Sequence, residues 1–231
     1  MALSVHSDGS VLGVDWSKIQ TVLLDMDGTL LDLQFDTEFW TQTVPARYAA
    51  EQGITFDCAR DRLDPIHKRE SGHLNWYCLD FWSETLGVDI VQLKQEIQHL
   101  IAFRPHVKTF LQELQDTRHR VVLVTNAHNH SLNLKLSITG LDHYVDAIVC
   151  SHDLKLPKEN PLFWEKLQSV EVFDRRRTML IDDSLAVLKS AQEYGIEHIY
   201  SIVQPDSQKP PRSNEEFPSI DRFDQHSAKN S

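Results

Sequence analysis

Thr21-Val22-Leu23-Leu24-Asp25-Met26-Asp27-Gly28-Thr29 decides the fold of this chain: an apolar run ends in two acids one residue apart, followed by a glycine and a hydroxyl. Such a run suits a buried strand. Period-two alternation sets Asp25 and Asp27 on the same side, and Gly28 lets the backbone leave the strand sharply. An aspartate carboxylate is a weak nucleophile in water. At the end of a buried strand it can attack phosphorus if a metal and nearby donors offset the charge repulsion, while the second acid carries a proton. Asp and Gly after a strand are also ordinary turn chemistry, so the rest of the chain has to decide between the two readings.

Other short, β-rich apolar runs recur at Arg120 to Val124, Val145 to Val149, Thr178 to Ile181 and His198 to Val203, with helical patterns between them. Runs that are apolar on both faces predict a parallel sheet covered by helices, hence an α/β, doubly wound, Rossmann-like fold. The interval from Leu30 to about Thr117 holds no convincing strand. Its amphipathic segments, Asp36 to Gln52, Phe56 to Arg69, Leu74 to Leu86 and Ile90 to Ile101, are punctuated by Gly53, Gly72 and Gly87, and predict an inserted helical module. Hinge strands are expected near Leu31 to Leu33 and Phe103 to Arg104, with a crossover helix over Val107 to Leu114. The expected organisation is an N-terminal extension (1–16), an α/β core (17–33 and 103–205), a helical cap (34–102) and an irregular tail (206–231) rich in Pro, Ser and Asp.

At 231 residues, with 41% hydrophobic and 25% charged residues, the chain can bury a full core. A formal net charge of -11 disfavours binding of a nucleic-acid polymer, whose affinity comes from clustered Lys and Arg, but leaves room for a small phosphate ester if charge is locally reversed. Cys58, Cys78 and Cys150 are scattered and odd in number, which indicates neither a disulfide framework nor a zinc cage and fits a reducing cytoplasm. Met1 to Val14 lacks the basic and apolar regions of a signal peptide, and no stretch is apolar enough to span a membrane. The oligomeric state is not legible.

In a parallel sheet, ligands bind at the carboxyl ends of the strands. Three further polar groups fall at such ends. Thr125-Asn126 closes the second strand, where a hydroxyl and the following backbone N–H could hold phosphate oxygens or merely cap a helix. Lys158, in the loop after the third strand, could neutralise a phosphate dianion beside Asp25. Asp182-Asp183-Ser184 closes the fourth, where paired acids facing Asp25 would build a hard, all-oxygen magnesium site, or cap a helix. Each bland alternative is respectable alone, but the order, the strand-end positions and the complementary charges together favour the chemical reading.

This order and content resemble the haloacid dehalogenase-like (HAD) phosphohydrolases: D-x-D-G-T, then Thr, then Lys, then a paired acid, with a helical cap between the first two motifs. The resemblance implies Asp25 as nucleophile and Asp27 as general acid/base. It implies Mg2+ held by Asp25, the Asp27 carbonyl and Asp182 or Asp183, and phosphate bound by Thr125, the Asn126 backbone and Lys158. Dehalogenases of the superfamily lack the second acid, so Asp27 argues against that branch. The P-type ATPase branch is excluded by its D-K-T-G-T form and membrane spans, both missing here. Leu31 to Trp40, Leu74 to Ser83 and Thr125 to His128 resemble more closely the bacterial 5'-nucleotidases of this superfamily that act on GMP and IMP.

In the cap, Trp40, Trp76, Tyr77 and Trp82 could include a stacking face for a purine, although aromatics along helices more often pack. Trp76 and Tyr77 are favoured, with Asn75 reading a base edge. His128 and His130 could touch substrate, and the nearby acids prefer magnesium to zinc. The leading expectation is magnesium-dependent hydrolysis of purine 5'-mononucleotides through an aspartyl-phosphate. A phosphatase or phosphomutase acting on another small phosphate such as a sugar phosphate is the alternative, because one core serves all of these. A non-catalytic nucleotide-binding regulator is a third class, disfavoured because every chemical position is filled.

Overall fold

The computed structural model describes residues 14–212 and 216–225. Six strands, β1 (Thr21–Leu24), β2 (Arg120–Thr125), β3 (Ala147–Cys150), β4 (Thr178–Asp182), β5 (His198–Ile202) and β6 (Ser219–Ile220), form one parallel sheet in the order β3-β2-β1-β4-β5-β6. Alternation along the strands divides the core. Val22, Leu24, Val121, Leu123, Met179 and Ile181 pack on one face, and Leu23, Val122, Val124 and Leu180 on the other. Both faces are covered, which is why the strands read as continuous apolar runs.

Between β1 and β2 the chain is helical: α1 (Gln34–Glu38), a π-helical turn (Phe39–Thr43), α2 (Val44–Gln52), α3 (Phe56–Glu70), α4 (Leu74–Tyr77), α5 (Leu79–Leu86) and α6 (Ile90–Glu96). Gly53 and Gly87 take left-handed conformations at the ends of α2 and α5, where a glycine stops a helix without strain. Phe39, Val44, Leu63, Leu79, Trp82, Leu86, Ile90 and Leu93 bury a separate apolar cluster, so this segment has a core of its own. Leu31 and Phe103 pair antiparallel where the segment leaves and rejoins the sheet.

The remaining helices are α7 (Val107–Asp116), α8 (Asn129–Thr139), α9 (Ser151–Leu154), α10 (Pro161–Val170) and α11 (Leu185–Tyr194). α7 and α8 pack on the first sheet face, α10 and α11 on the second. Among the described residues, no helix is long and apolar enough to cross a membrane.

Two boundary readings need correction. The tail, expected to be irregular after Pro205, adds β6 to the sheet and buries Phe217, Ile220 and Phe223, with the Phe223 ring 4.9 Å from that of Phe110. A two-residue strand flanked by Pro and charged residues is too short to give a periodic signal. Trp16, placed at the end of an N-terminal extension, is only 5% exposed and packs against Phe110, so it belongs to the core. Residues 1–13 of that extension lie outside the described residues.

Candidate active site

The parallel register sets the site. Leu24 pairs with Leu123 on one side and Ile181 on the other, so the next residues, Asp25, Val124 and Asp182, stand side by side at the carboxyl edge of the sheet. The Asp25 backbone N–H donates to the Ile181 carbonyl at 3.0 Å, which holds the strand end in place. Lys158 reaches this edge from the loop after α9. Its Nζ donates to Asp25 Oδ1 at 2.5 Å, Asp182 Oδ2 at 2.7 Å and the Val124 carbonyl at 3.0 Å, and the side chain is buried. Burial opposes its charge, but Asp182 and Asp25 outweigh that and raise its pKa, so the lysine stays cationic.

The second strand end is tied to the same loop. Asn126 accepts the Lys158 backbone N–H through Oδ1 at 2.9 Å and donates through Nδ2 to Glu159 Oε2 at 2.9 Å. Thr125 Oγ1 accepts the Ala127 N–H at 3.0 Å, which closes a turn, while the N-cap of α8 is His128. The helix-capping alternative for the acid pair does not hold either: Asp182 Oδ1 accepts the Ser184 N–H, and the Ser184 side chain makes no cap bond to α11.

Asp25, Asp182 and Asp183 each bring a carboxylate oxygen within 4.8 Å of the others. Asp25 Oδ2 is buried and meets no hydrogen-bond partner. Burial pushes the carboxyl of Asp25 up, and raises Asp183 well above the usual carboxylate range with further help from Asp25 and Asp182. Three crowded carboxyls and an orphaned buried oxygen form a hard donor set that fits magnesium. Gly28 makes the close approach possible. Its φ is +87°, and a Cβ there would stand 2.8 Å from Asp183 Cγ and Oδ2.

Asp27 anchors a chain of two buried lysines and two half-buried carboxylates that the sequence does not signal. Its Oδ1 accepts from Lys135 Nζ at 2.6 Å; the same nitrogen donates to Asp36 Oδ2 at 2.6 Å; Lys94 Nζ donates to Asp36 Oδ1 at 2.7 Å. Lys135 comes from α8, Asp36 from α1 and Lys94 from α6, so the chain ties Asp27 to the cap. Burial pushes the Asp27 carboxyl up to about 6 against the pull of Lys135, whereas Lys135 and Lys94 overcome burial at Asp36 and hold it well below its ordinary value. Lys135 between two leucines and Lys94 between Leu93 and Gln95 carry no sequence signal for such pairing.

A cleft of about 450 Å³ opens above these groups, walled by Trp40, His67, Trp76 and Tyr77 from the cap and floored by Asp25, Asp27 and Lys158. The Trp40 and Trp76 rings lie 6.5 Å apart at 25°. Tyr77 reaches the cleft, but its hydroxyl donates to Glu159 Oε1 at 2.5 Å, a contact between cap and core. Asn75 is exposed and turned away, donating to Glu70 Oε2 at 3.2 Å. The structure does not bring it to the cleft wall with its two neighbours, because residues one apart on a helical turn face different ways.

Comparison with known proteins agrees with this architecture. A haloacid dehalogenase-like hydrolase family model matches residues 19–195. The chain is 37% identical over 212 residues to the GMP/IMP nucleotidase YrfG of Escherichia coli, covering 92% of this chain and 96% of that one. Among solved structures, a HAD phosphatase from Thermococcus onnurineus shares the fold with a TM-score of 0.75 at 22% identity, over 90% of this chain and 96% of that one. A putative HAD hydrolase, YfnB of Bacillus subtilis, does so with a TM-score of 0.61 at 20% identity, over 90% and 96% respectively; its structure was determined bound to magnesium. A D-x-D strand end, a lysine bridging two acids and a helical cap thus stand in a chain matched over most of its length, and the chain belongs to the haloacid dehalogenase-like hydrolases, as a phosphoric monoester hydrolase.

Proposed function

We propose that the chain hydrolyses purine 5'-mononucleotides, GMP and IMP above all, to nucleoside and phosphate through an aspartyl-phosphate on Asp25. The observation that carries the chemistry is the state of Asp25: one oxygen is pinned by Lys158, and the other is buried, unpartnered and on the floor of the cleft. The free oxygen attacks phosphorus, and the ester oxygen departs. Asp27, raised to about 6, lies in the range where a carboxyl can donate a proton to the leaving oxygen and then take one from the water that cleaves the acyl-phosphate. Lys158 offsets phosphate charge at the nucleophile, while Thr125 and Asn126 line the same cleft.

Asp25, Asp182, Asp183 and the Asp27 carbonyl would hold magnesium, which supplies the positive charge that lets a dianionic phosphate approach three carboxylates. The magnesium-bound Bacillus neighbour is consistent with this assignment. The purine reading is supported by the Escherichia coli relative's name and by the aromatic wall of Trp40 and Trp76, whose apolar faces suit a flat base better than a sugar.

The test is phosphate release across GMP, IMP, AMP and a sugar phosphate, with and without magnesium. A pocket matched to a 6-keto acceptor and N1 donor leaves polar groups unpaired with adenine, at roughly 1 to 3 kcal/mol per group, or about a tenfold to hundredfold preference in kcat/KM. GMP and IMP are therefore expected to exceed AMP. A highest kcat/KM for AMP or the sugar phosphate would refute the nucleotide assignment and leave the phosphatase core standing.

A further inference from the structure

Beside the carboxylates, the seam between cap and core gathers a second donor set of different chemistry. Cys78, His128 and His152 each bring a ligand atom within 4.8 Å of the other two. Cys78 lies in the cap, at the N-cap of α5; His128 caps α8 and His152 sits in α9, both in the core. All three are shielded from solvent without being sealed in. His152 Nε2 is buried and has no hydrogen-bond partner, while the ring also meets the Asn126 backbone, an arrangement that fixes an imidazole with one nitrogen free. The exposed Asp80 carboxylate stands 3.7 Å from His128 Nε2 but groups with His130 rather than with Cys78 and His152.

We infer that this seam is a binding site for a divalent transition metal, zinc above all, held by Cys78, His128 and His152 with water as fourth ligand, and that the metal staples the cap to the core. One thiolate and two imidazoles are the donors that zinc prefers and magnesium declines. Ligand atoms around tetrahedral zinc stand roughly 3.3–3.8 Å apart, so the widest pair would close by about 1 Å, within the reach of side-chain rotation. Burial keeps His152, lowered to about 4, neutral at physiological pH, the form that offers a lone pair. Binding releases the Cys78 thiol proton to solvent. Because ligands come from both cap and core, an ion here opposes any separation of the two, and substrate exchange through the cleft slows.

The binding arm does not depend on the substrate assignment. Full-length protein carrying Cys58→Ser, which removes the exposed thiol, is stripped of metal and titrated with Co2+ in excess magnesium. The expected result is one equivalent bound, with a thiolate-to-cobalt charge-transfer band and the visible bands of a tetrahedral ion, bleached by one equivalent of Zn2+. Adding Cys78→Ser or His152→Ala should weaken binding at least about tenfold and remove the charge-transfer band. Serine supplies a hydroxyl oxygen to cap α5 in place of Cys78 Sγ, which accepts the Phe81 N–H at 3.5 Å, so the variant retains its fold. Absence of the band, or its survival in Cys78→Ser, overturns the site. In the activity arm, micromolar Zn2+ at saturating magnesium should slow phosphate release by the parent and not by Cys78→Ser. Equal inhibition of both would place the zinc effect at the carboxylates and overturn the staple.

Discussion

Replacing Lys135 by methionine tests the charge chain most directly, because the side chain keeps its length and loses only the cation shared by Asp27 and Asp36. Asp36 keeps Lys94; Asp27 keeps nothing. Removing one partner from a buried ion pair costs about 3–5 kcal/mol. Part of that cost depends on pH, and its sign follows from Asp27. In the parent its folded pKa is raised to about 6, so the carboxyl is ionised at pH 7 and opposes folding there, an effect that fades as pH falls through 6. Without Lys135 the pKa rises further. At pH 7 the variant must hold a proton that the parent releases, which adds roughly 1.4 kcal/mol for the one unit between 6 and 7. At pH 5 the group is protonated in both proteins, and the added term vanishes. Thermal unfolding of both proteins should therefore show a Tm loss of roughly 6–20 °C at pH 7, with the gap narrowing by about 3–6 °C at pH 5. Adding Asp27→Asn to the variant removes the stranded charge and should recover part of the loss at pH 7. A variant with the parent's Tm, a gap that widens on acidification, or a double variant less stable than the single one would refute the reasoning.

Asp25→Asn keeps the shape and removes the nucleophile, so phosphate release should fall to background while Tm holds or rises, since a buried carboxyl beside two others is relieved; turnover above a few per cent would sink the covalent route. Chelator should abolish turnover and magnesium restore it, and magnesium should raise Tm because it binds only the folded cluster; full activity in excess chelator would reject the site. Gly28→Ala puts a methyl group 2.8 Å from the Asp183 carboxylate at a φ of +87°, so the magnesium concentration for half-maximal activity should rise at least about tenfold, and an unchanged titration would show that Asp183 is not a ligand.

What was legible in the sequence was what is local or repeated along one strand. Asp25 could be placed at a sheet edge because three apolar residues, Val22 to Leu24, precede it, and Asp182 because its strand ends in the same way; parallel register then makes them neighbours. The pairings that shape the site are of another kind. Lys135 sits 108 residues from Asp27 and 99 from Asp36, and Lys94 lies 58 from Asp36. Nothing in a helical pattern of leucines distinguishes a lysine that faces water from one driven inward by two carboxylates. Nothing in the sequence marks Glu159, yet it joins Asn126 to the cap through Tyr77.

These long-range contacts share a geometry with a consequence for the cycle. The chain Asp27–Lys135–Asp36 and the bond Tyr77–Glu159 both cross from core to cap, one on the proposed general acid and the other on the residue next to Lys158. Opening the cap far enough to release a product has to stretch both. Stretching the first would separate Lys135 from one of its two carboxylates and expose the pair to water, where their attraction falls several-fold. The proton affinity of Asp27 is therefore set by where the cap sits. A closed cap keeps the carboxyl half-buried with its pKa raised to about 6, and an open one would return it toward an ordinary carboxylate, a poorer proton donor.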